Sequence, residues 1–437
     1  MTKPQQMTDD AGLEKSLGGF SLFVLAFGTI IGIGWVTVVG SWIADGGAAG
    51  AALGFILGGL IMLPLALCYA EVAGMFPVAG GELAYVYEMY GERWAFFAGW
   101  LLAYTYVATT AFEAVSVAWV LAVLFPGTEG PVLYTFLGAD VRLWSVVAGI
   151  AIMFALAVIN YLGATATAFF QTLMVGALIL FALIFIAAGL SNGDTSNLQP
   201  LFAGDTLGLS VSGVLVVMAS TPFWFAGFDT IPQAMGEVSD KFDLRKLPMV
   251  MAVSICIAIA FYLLIILTAS TVVNRETLLA ADLPLAGAAE AAFNSVIFRN
   301  VVLVAGLCGL LTTWNAMFFA ATRLIYALGR ARMVPHSFAK LHSTHGTPSL
   351  AIVFVAVVGS LGAFMGREAI GLIVDSAALV FSAIFVIVIA GTQVLRRRLP
   401  DHPRPFTFPG GTIGLSICLL LAITVFLLAA VGPLISS

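Results

Sequence analysis

The sequence predicts an all-α polytopic membrane protein with eleven transmembrane helices, and three observations support this. Of its 437 residues, 61% are hydrophobic and only 9% are charged, whereas an average soluble domain carries about 25% charged residues. Apolar runs long enough to cross a bilayer, which takes about 20 residues, recur along the whole chain. Two of these runs, five apart, have glycine- or proline-rich middles, which favours two inverted halves of five helices with one extra helix.

Composition also excludes several classes of function. A chain this apolar is neither a soluble enzyme nor a disordered scaffold, and its net charge of −5 offers no basic surface for nucleic acid. The four cysteines lie inside apolar runs without metal-ligand spacing, so we expect no metal and no cofactor. The four histidines lie in loops between spans, which argues against a buried catalytic set and therefore against an enzyme.

Eleven segments are predicted to span the membrane, each with about 20 mostly apolar residues. In chain order they are 20–42, 50–74, 94–124, 143–161, 164–190, 209–236, 248–273, 297–328, 349–365, 369–394 and 412–434. The longest insert between them, 274–296, contains Asp282, Pro284 and Glu290 and is predicted to form a short external helix.

Lysine and arginine residues predict the orientation. With a cytoplasmic N-terminus, 14 of the 18 lie on the cytoplasmic side, as the positive-inside rule requires. An odd number of spans then places the C-terminus outside the cell. The chain has no N-glycosylation sequon, which agrees with the plasma membrane of a bacterium. The predicted regions are a cytoplasmic segment 1–19, a first repeat 20–190, a second repeat 209–394, a cytoplasmic loop 395–411, and the eleventh helix with its external end, 412–437.

The first and sixth spans have compositions that favour an interrupted helix. The residues that crowd their middles are Gly28, Gly32, Gly34 and Gly40 in the first span, and Pro222, Gly227 and Pro232 in the sixth. Unwound backbone in a membrane supplies hydrogen-bond donors and acceptors at mid-depth. Glycine also lets helices pack closely, and alone the Gly28/Gly32 pair would indicate packing. The matching break five helices later favours a binding site.

Three blocks of residues carry a family resemblance. The second span and the loop after it contain Tyr69-Ala70-Glu71 and Phe76-Pro77-x-x-Gly80-Gly81-Glu82. The eighth span and its following loop contain Asn315, Arg323, Tyr326, Arg330, Pro335, Thr347 and Pro348. After the tenth span comes Arg404-Pro405-Phe406-x-x-Pro409-Gly410. The chain resembles the amino acid–polyamine–organocation (APC) superfamily of secondary transporters over nearly its whole length. The resemblance implies the LeuT-type fold, although most relatives have twelve spans.

The resemblance also implies a binding site at the two breaks. Substrate would bind along Ile31, Gly32, Ile33 and Gly34, with the N–H groups of Ile33 and Gly34 facing a carboxylate. Many relatives have Ser or Ala at position 33, so a hydroxyl contact is absent here. In the sixth span the implied lining residues are Phe223, Trp224, Phe225, Ala226, Gly227 and Phe228. Phe223 falls where relatives have an aromatic gate, although each ring singly is equally consistent with packing against lipid or a neighbouring helix.

Two acidic residues lie inside predicted spans and away from the span ends, where a bare carboxylate costs several kcal/mol and is usually functional. Asp229 matches a position at which some relatives carry an acid tied to proton sensing. Glu113, in the third span, is outside the general family pattern. It would contact a cationic group of the substrate, carry a proton, or make a structural hydrogen bond. Asp375, near the start of the tenth span, is a weaker third candidate because that position approaches the external surface.

The sequence does not decide which ion, if any, is coupled to transport. In sodium-coupled members of this fold the ion would lie between the carbonyls of Gly28 and Ile31 and the hydroxyls of Thr312 and Thr313. Oxygen ligands suit Na⁺ as a hard cation, but threonine more often bonds back to its own helix. Some proton-coupled relatives use a lysine in the fifth span, near Leu178, and no lysine exists there. Sodium coupling, proton coupling through Asp229 or Glu113, and ion-free exchange are left.

Charged residues at the cytoplasmic ends are interpreted as inner-gate or loop-anchoring ion pairs. They are Glu71, Glu82, Glu88, Glu237, Arg323 and Arg330. The predicted function is secondary active transport of an amino acid across the plasma membrane by alternating access, as symport or antiport. The alternative is a transporter of an amine without a carboxylate, such as ethanolamine or a polyamine, which Glu113 and Ile33 favour. The expected partners are a small-molecule substrate, lipid, and a proton or sodium ion, and the sequence indicates no oligomeric state.

Overall fold

The computed structural model describes residues 13–281 and 283–435. The predicted segment 1–19 therefore lies partly outside the described residues, as do Asp282 and the last two residues. In chain order the helices are α1 (Gly19–Ile30), α2 (Gly34–Thr37), α3 (Val39–Met75), α4 (Gly81–Tyr90), α5 (Glu92–Leu124), α6 (Leu143–Tyr161), α7 (Ala164–Asn192), α8 (Leu207–Trp224), α9 (Thr230–Ala234), α10 (Leu247–Val272), α11 (Arg275–Ala280), α12 (Pro284–Phe293), α13 (Val296–Arg330), α14 (Ser349–Ser360), α15 (Ala369–Arg398) and α16 (Gly411–Ile435).

The membrane spans agree with the prediction. Within the described residues, ten helical segments are long and apolar enough to cross a membrane, and Ser349–Phe364 is a shorter apolar helix. These eleven segments correspond to the eleven predicted spans and confirm an all-α polytopic membrane protein. Helix α3 joins the end of the first predicted span to the second across Gly47, whose backbone (φ 72°, ψ 175°) is not helical.

The first and sixth spans are both interrupted. Helix α1 stops at Ile30, Ile31 leaves the helical region (φ −97°, ψ 81°), and a helix resumes at Gly34. In the sixth span α8 stops at Trp224 and α9 begins at Thr230. Gly227 allows this second break because its φ of +147° is strained for any other residue. A side chain there would also come within 2.9 Å of the Ile30 nitrogen, so the two breaks pack directly against each other.

Three loop elements were not predicted in this form. Strands β1 (Val132–Phe136) and β2 (Ala139–Arg142) form an antiparallel hairpin between α5 and α6. Leu137 and Gly138 turn it with φ of 49° and 89°, as a two-residue hairpin loop requires. The β-branched and aromatic residues of β1 were the available signal. The insert 274–296 forms two short helices, α11 and α12, instead of one, and the loop after the second span forms α4.

Candidate functional site

A narrow cavity lies between the two breaks. Its volume is about 20 Å³, enough for roughly one water molecule. The cavity is lined by Thr29, Ile30, Gly32, Ile33, Gly34, Thr109, Phe112, Glu113, Phe223, Trp224, Ala226, Thr313 and Met317. In this conformation the cavity is too small for an amino acid, so binding one requires the side chains around it to move.

A second, larger cavity opens on the face opposite the N-terminal segment. It has a volume of about 560 Å³, and Ser41, Asp45, Arg367, Asp375 and Trp224 are among its lining residues. Trp224 lines both cavities and therefore forms the partition between them. The larger cavity therefore extends from one face of the protein to the Trp224 ring.

Aromatic side chains form this partition. The rings of Phe112, Phe223 and Trp224 contact one another, with centroid separations of 4.9 Å for Phe223–Trp224 and 5.6 Å for Phe112–Phe223. The Trp224 indole is held by a 3.0 Å hydrogen bond that its Nε1–H donates to the Ser220 hydroxyl. Gly34 lies directly under this ring, because a Cβ atom there would overlap the six-membered part of the indole. Glycine at position 34 therefore lets the ring cover the break.

The first break presents free backbone donors to the cavity. The N–H groups of Ile33 and Gly34 donate no hydrogen bond within the part of the chain that the structure describes. They stand at the N-terminal end of the half-helix formed by α2 and the first turns of α3, where the partial positive charge of a helix lies. An anionic group is the natural partner for such an end.

Glu113 supplies the only carboxylate among the residues that line the narrow cavity. Its side chain is 1% exposed, and its Oε2 atom has no hydrogen-bond partner among the residues described. Its Oε1 atom lies 3.2 Å from where a Cβ atom on Gly32 would stand. A buried carboxylate without a partner is costly, and a cationic group or a proton in the cavity would offset that cost.

Tyr262 on α10 links the two breaks and was not predicted as a site residue. Its hydroxyl lies 2.7 Å from the Ile30 carbonyl and 3.3 Å from the Trp224 carbonyl. These carbonyls end α1 and α8, where helices leave acceptors unsatisfied. One tyrosine therefore caps two half-helices that meet at the site.

The structure brings together some of the residues predicted to bind sodium. The Thr313 hydroxyl lies 3.2 Å from the Gly28 carbonyl and 3.0 Å from that of Thr29. The Thr312 hydroxyl instead bonds the Gly309 carbonyl of its own helix at 2.7 Å, the usual behaviour of a helical threonine. The Ile31 carbonyl faces Gly309, where a Cβ atom would come within 3.0 Å of it.

Several predicted site residues lie outside the narrow cavity. Phe225 packs against Phe55 and Tyr262, and Phe228 packs against Tyr69 and Phe385. The others outside it are Gly28, Ile31, Gly227, Asp229 and Thr312. Thr109 and Phe112 line the cavity but were not predicted. They lie four and one residues before Glu113 on α5, so the helical spacing around the buried acid was the available signal.

Asp229 does not line the narrow cavity, and its carboxylate bonds Tyr106 on α5. Its Oδ2 atom accepts a 2.8 Å hydrogen bond from the Tyr106 hydroxyl, and its Oδ1 atom accepts one of 2.7 Å from the Gly227 N–H. The side chain is 1% exposed. Asp229 therefore holds the backbone of the second break and joins it to the third span.

The face that carries the N-terminal segment is closed. Leu17 donates its N–H to the Glu237 carbonyl at 2.9 Å and accepts one from Ser239 at 2.9 Å. The Arg323 guanidinium donates two hydrogen bonds, of 2.8 and 3.1 Å, to the Glu237 carboxylate. Both side chains are at most 1% exposed. The backbone hydrogen bonds of Leu17 thus attach the segment before α1 to the end of the sixth span.

The other expected ion pairs differ in their partners. Glu71 pairs with Arg396, whose Nε lies 2.9 Å from Oε1, and with Arg404 at 3.4 Å, so it anchors the loop after α15. Glu82 makes no ion pair in the described chain; its Oε2 atom instead accepts a short hydrogen bond from the Gln233 amide. The interpretation of Glu82 as an ion-pair residue was therefore wrong, because its neighbour on the sixth span is an amide.

The fold and site define a multi-pass membrane protein with paired broken helices around a central cavity, the arrangement of a secondary transporter. A family model described as amino acid permease matches residues 17–436. The chain therefore belongs to the amino acid permease family, within the APC superfamily.

Curated relatives agree with this family. The branched-chain amino acid permease BcaP of Bacillus subtilis (strain 168) is 29% identical, with 94% of this chain and 88% of that protein covered. The methylthioribose transporter of the same organism is 26% identical, with 91% and 84% covered. Cationic amino acid transporter 9, chloroplastic, of Arabidopsis thaliana is 29% identical, with 77% and 59% covered. These relatives are permeases and transporters rather than enzymes, and their named substrates differ widely.

Proposed function

We propose that this protein is a secondary active transporter that moves an amino acid across the bacterial plasma membrane by alternating access. One observation carries the proposal: the two broken helices meet at a buried cavity. Among the described residues, the N–H groups of Ile33 and Gly34 on one wall and the Oε2 atom of Glu113 on another have no hydrogen-bond partner. The distribution of lysine and arginine supports a cytoplasmic N-terminus and an external C-terminus. The larger cavity then faces outward, and the described conformation is open to the outside as far as Trp224.

The binding mode follows from the charges at the site. The substrate carboxylate would take the N–H groups of Ile33 and Gly34, because a helix N-terminus favours an anion. The ammonium group would lie toward Glu113 and the carbonyl end of α8. The side chain would lie among Thr109, Met317 and Phe223, and this pocket must widen to admit it.

A second candidate is a transporter of an organic amine without a carboxylate. Glu113 is the observation that favours it, since one buried carboxylate suffices to bind a cation but no fixed cationic side chain lines the narrow cavity among the described residues. The free N–H groups of Ile33 and Gly34 favour the amino acid instead, because an amine would leave them unpaired.

Counterflow into proteoliposomes tests the proposal. Vesicles holding purified protein are loaded with one unlabelled compound, and uptake of the same labelled compound is measured across a panel of amino acids. Each amino acid is paired with the amine that its decarboxylation yields. We expect counterflow for an amino acid and not for its amine. Counterflow of the amine alone would select the second candidate, and no counterflow of either class would refute transport at this site.

Sodium coupling is tested in the same vesicles. Replacing sodium by choline abolishes accumulation if Na⁺ binds among Gly28, Ile31, Thr312 and Thr313. Accumulation that is unchanged in choline would reject the sodium site and leave proton coupling or exchange.

A further inference from the structure

A chain of buried polar side chains leads from the second break to the N-terminal face. Tyr106 on α5 donates its hydroxyl hydrogen to Asp229 at 2.8 Å. The Gln233 amide nitrogen lies 3.4 Å from the Tyr106 oxygen and also donates to the Oε2 atom of Glu82 on α4. Each of these four side chains is at most 1% exposed. The chain thus joins two fully buried carboxyl groups, one at the break and one on a helix between two spans.

The Glu82–Gln233 pair lacks one hydrogen-bond donor among the described residues. Oε1 of Glu82 and Oε1 of Gln233 both have no hydrogen-bond partner in the described parts of the chain. Both are acceptors when the glutamate is ionised, and buried acceptors without donors are costly. A proton on the Glu82 carboxyl gives this pair the donor that it lacks.

Among the residues that the structure describes, no cation pairs with Glu82 or Asp229. The titratable groups that face Glu82 are Tyr69 on α3, Tyr85 on α4 itself, Tyr106 on α5 and Asp229 before α9. Helices α13 and α15 also pack against α4, and four of their arginines have other partners. Arg323 bonds Glu237, Arg396 bonds Glu71, Arg398 bonds the Met89 carbonyl, and Arg330 lies over the Tyr326 ring.

The two acids differ in how well they are solvated as anions. Asp229 accepts one hydrogen bond on each oxygen, as a carboxylate does. Glu82 has a donor on one oxygen only. Burial, and next the negative charge of Asp229, raise the pKa of the Glu82 carboxyl well above its ordinary value. Ionising both of two nearby buried carboxyl groups costs much free energy, so the two share one proton. Glu82 binds that proton more readily because it has fewer hydrogen-bond donors than Asp229.

We propose that Glu82 is the proton-binding residue of this transporter, which holds one proton on behalf of the Glu82–Asp229 pair while the N-terminal face is closed. This inference rests on the proposed transport function. Asp229 holds the second break, where substrate is proposed to bind. Tyr106 and Gln233 connect Glu82 to Asp229 by hydrogen bonds, so the protonation state of Glu82 affects the binding site. Opening of the N-terminal face admits water to α4, lowers the cost of the Glu82 anion, and releases the proton to that side.

A pair of glutamine and aspartate variants separates a proton site from a structural one. Glu82→Gln keeps the shape and the Gln233 contact but binds no proton, whereas Glu82→Asp keeps the proton and changes the length. Glu88 is a half-buried acid at the other end of α4 that makes no ion pair among the described residues, so its expected ion-pair role was wrong. Glu88→Gln is therefore the matched control. Each is measured for counterflow at equal pH on both sides and for accumulation driven by a pH gradient, acid outside.

We expect wild type and Glu88→Gln to accumulate substrate in the gradient. Glu82→Gln should lose that accumulation and keep counterflow, and Glu82→Asp should keep both. Wild-type counterflow should also fall at alkaline pH, because loss of the proton buries a second negative charge, and Glu82→Gln should lack this fall. Gradient-driven accumulation by Glu82→Gln at the wild-type level would overturn the inference.

Two further outcomes keep the inference and the proposed function distinguishable. Wild-type protein that shows counterflow but no response to the pH gradient would overturn proton binding at Glu82 and leave the transport function standing. Wild-type protein without counterflow of any compound would overturn the transport function itself. If Glu82→Gln does not fold, Tyr106→Phe cuts the same chain one step away, and undiminished gradient-driven accumulation by that variant would overturn the inference.

Discussion

At the scale of single residues, Gly32 decides whether the cavity exists. A Cβ atom at this position would come within 2.8 Å of the Thr313 hydroxyl and 3.2 Å of Glu113 Oε1. We expect Gly32→Ala to abolish counterflow, since overpacking typically costs about 1–3 kcal/mol. Gly176→Ala on α7 is the control, because a Cβ there meets nothing within 4 Å. Equal counterflow by the two variants would contradict a site at the first break.

Glu113 offers a second test at this scale. Glu113→Gln keeps the shape of the side chain and removes its charge, so a bound ammonium group loses its ionic partner. Removing one member of a buried charge pair typically costs about 2–5 kcal/mol, which corresponds to at least a tenfold rise in the half-saturating concentration for counterflow. The same variant with unchanged affinity would show that Glu113 has only a structural role.

At the scale of elements, Tyr262 joins the two breaks. Tyr262→Phe removes the hydroxyl that α1 and α8 share at their ends. We expect a loss of stability of about 1–3 kcal/mol, because buried carbonyls lose their donor, together with weaker substrate binding. Thermal unfolding with and without substrate measures both effects. An unchanged unfolding temperature and unchanged substrate stabilisation would exclude this capping role.

Elements were largely predictable from sequence because lipid imposes length and apolarity on every span. The breaks were predictable for the same reason, since Gly32, Gly34 and Gly227 stand out in a helix of 20 residues. Side-chain partners were not. Tyr262 lies on a helix with no local signal, and only the packing of α10 brings it to the breaks. Glu82 was taken for an ion-pair residue because its amide partner, Gln233, is 151 residues away.

At the scale of the whole molecule, we propose that the buried Arg323–Glu237 pair holds the N-terminal face closed. Glu237→Gln leaves Arg323 buried without its anion, which typically costs 3–5 kcal/mol, so the closed face is destabilised. We expect this variant to label faster at a cysteine placed in the N-terminal segment. Glu290→Gln, which breaks the half-exposed pair with Arg299, should leave labelling unchanged, because exposed pairs are worth about 1 kcal/mol or less. Equal labelling of both variants would refute the gate.

A cryo-electron microscopy map can show whether substrate binds between the two breaks. The protein in lipid nanodiscs is imaged with the compound that gives counterflow. We expect substrate density between the Gly34 nitrogen and Ala226, beside Glu113, with Trp224 displaced from its present position. Substrate density elsewhere in the molecule, with the narrow cavity still empty, would contradict it.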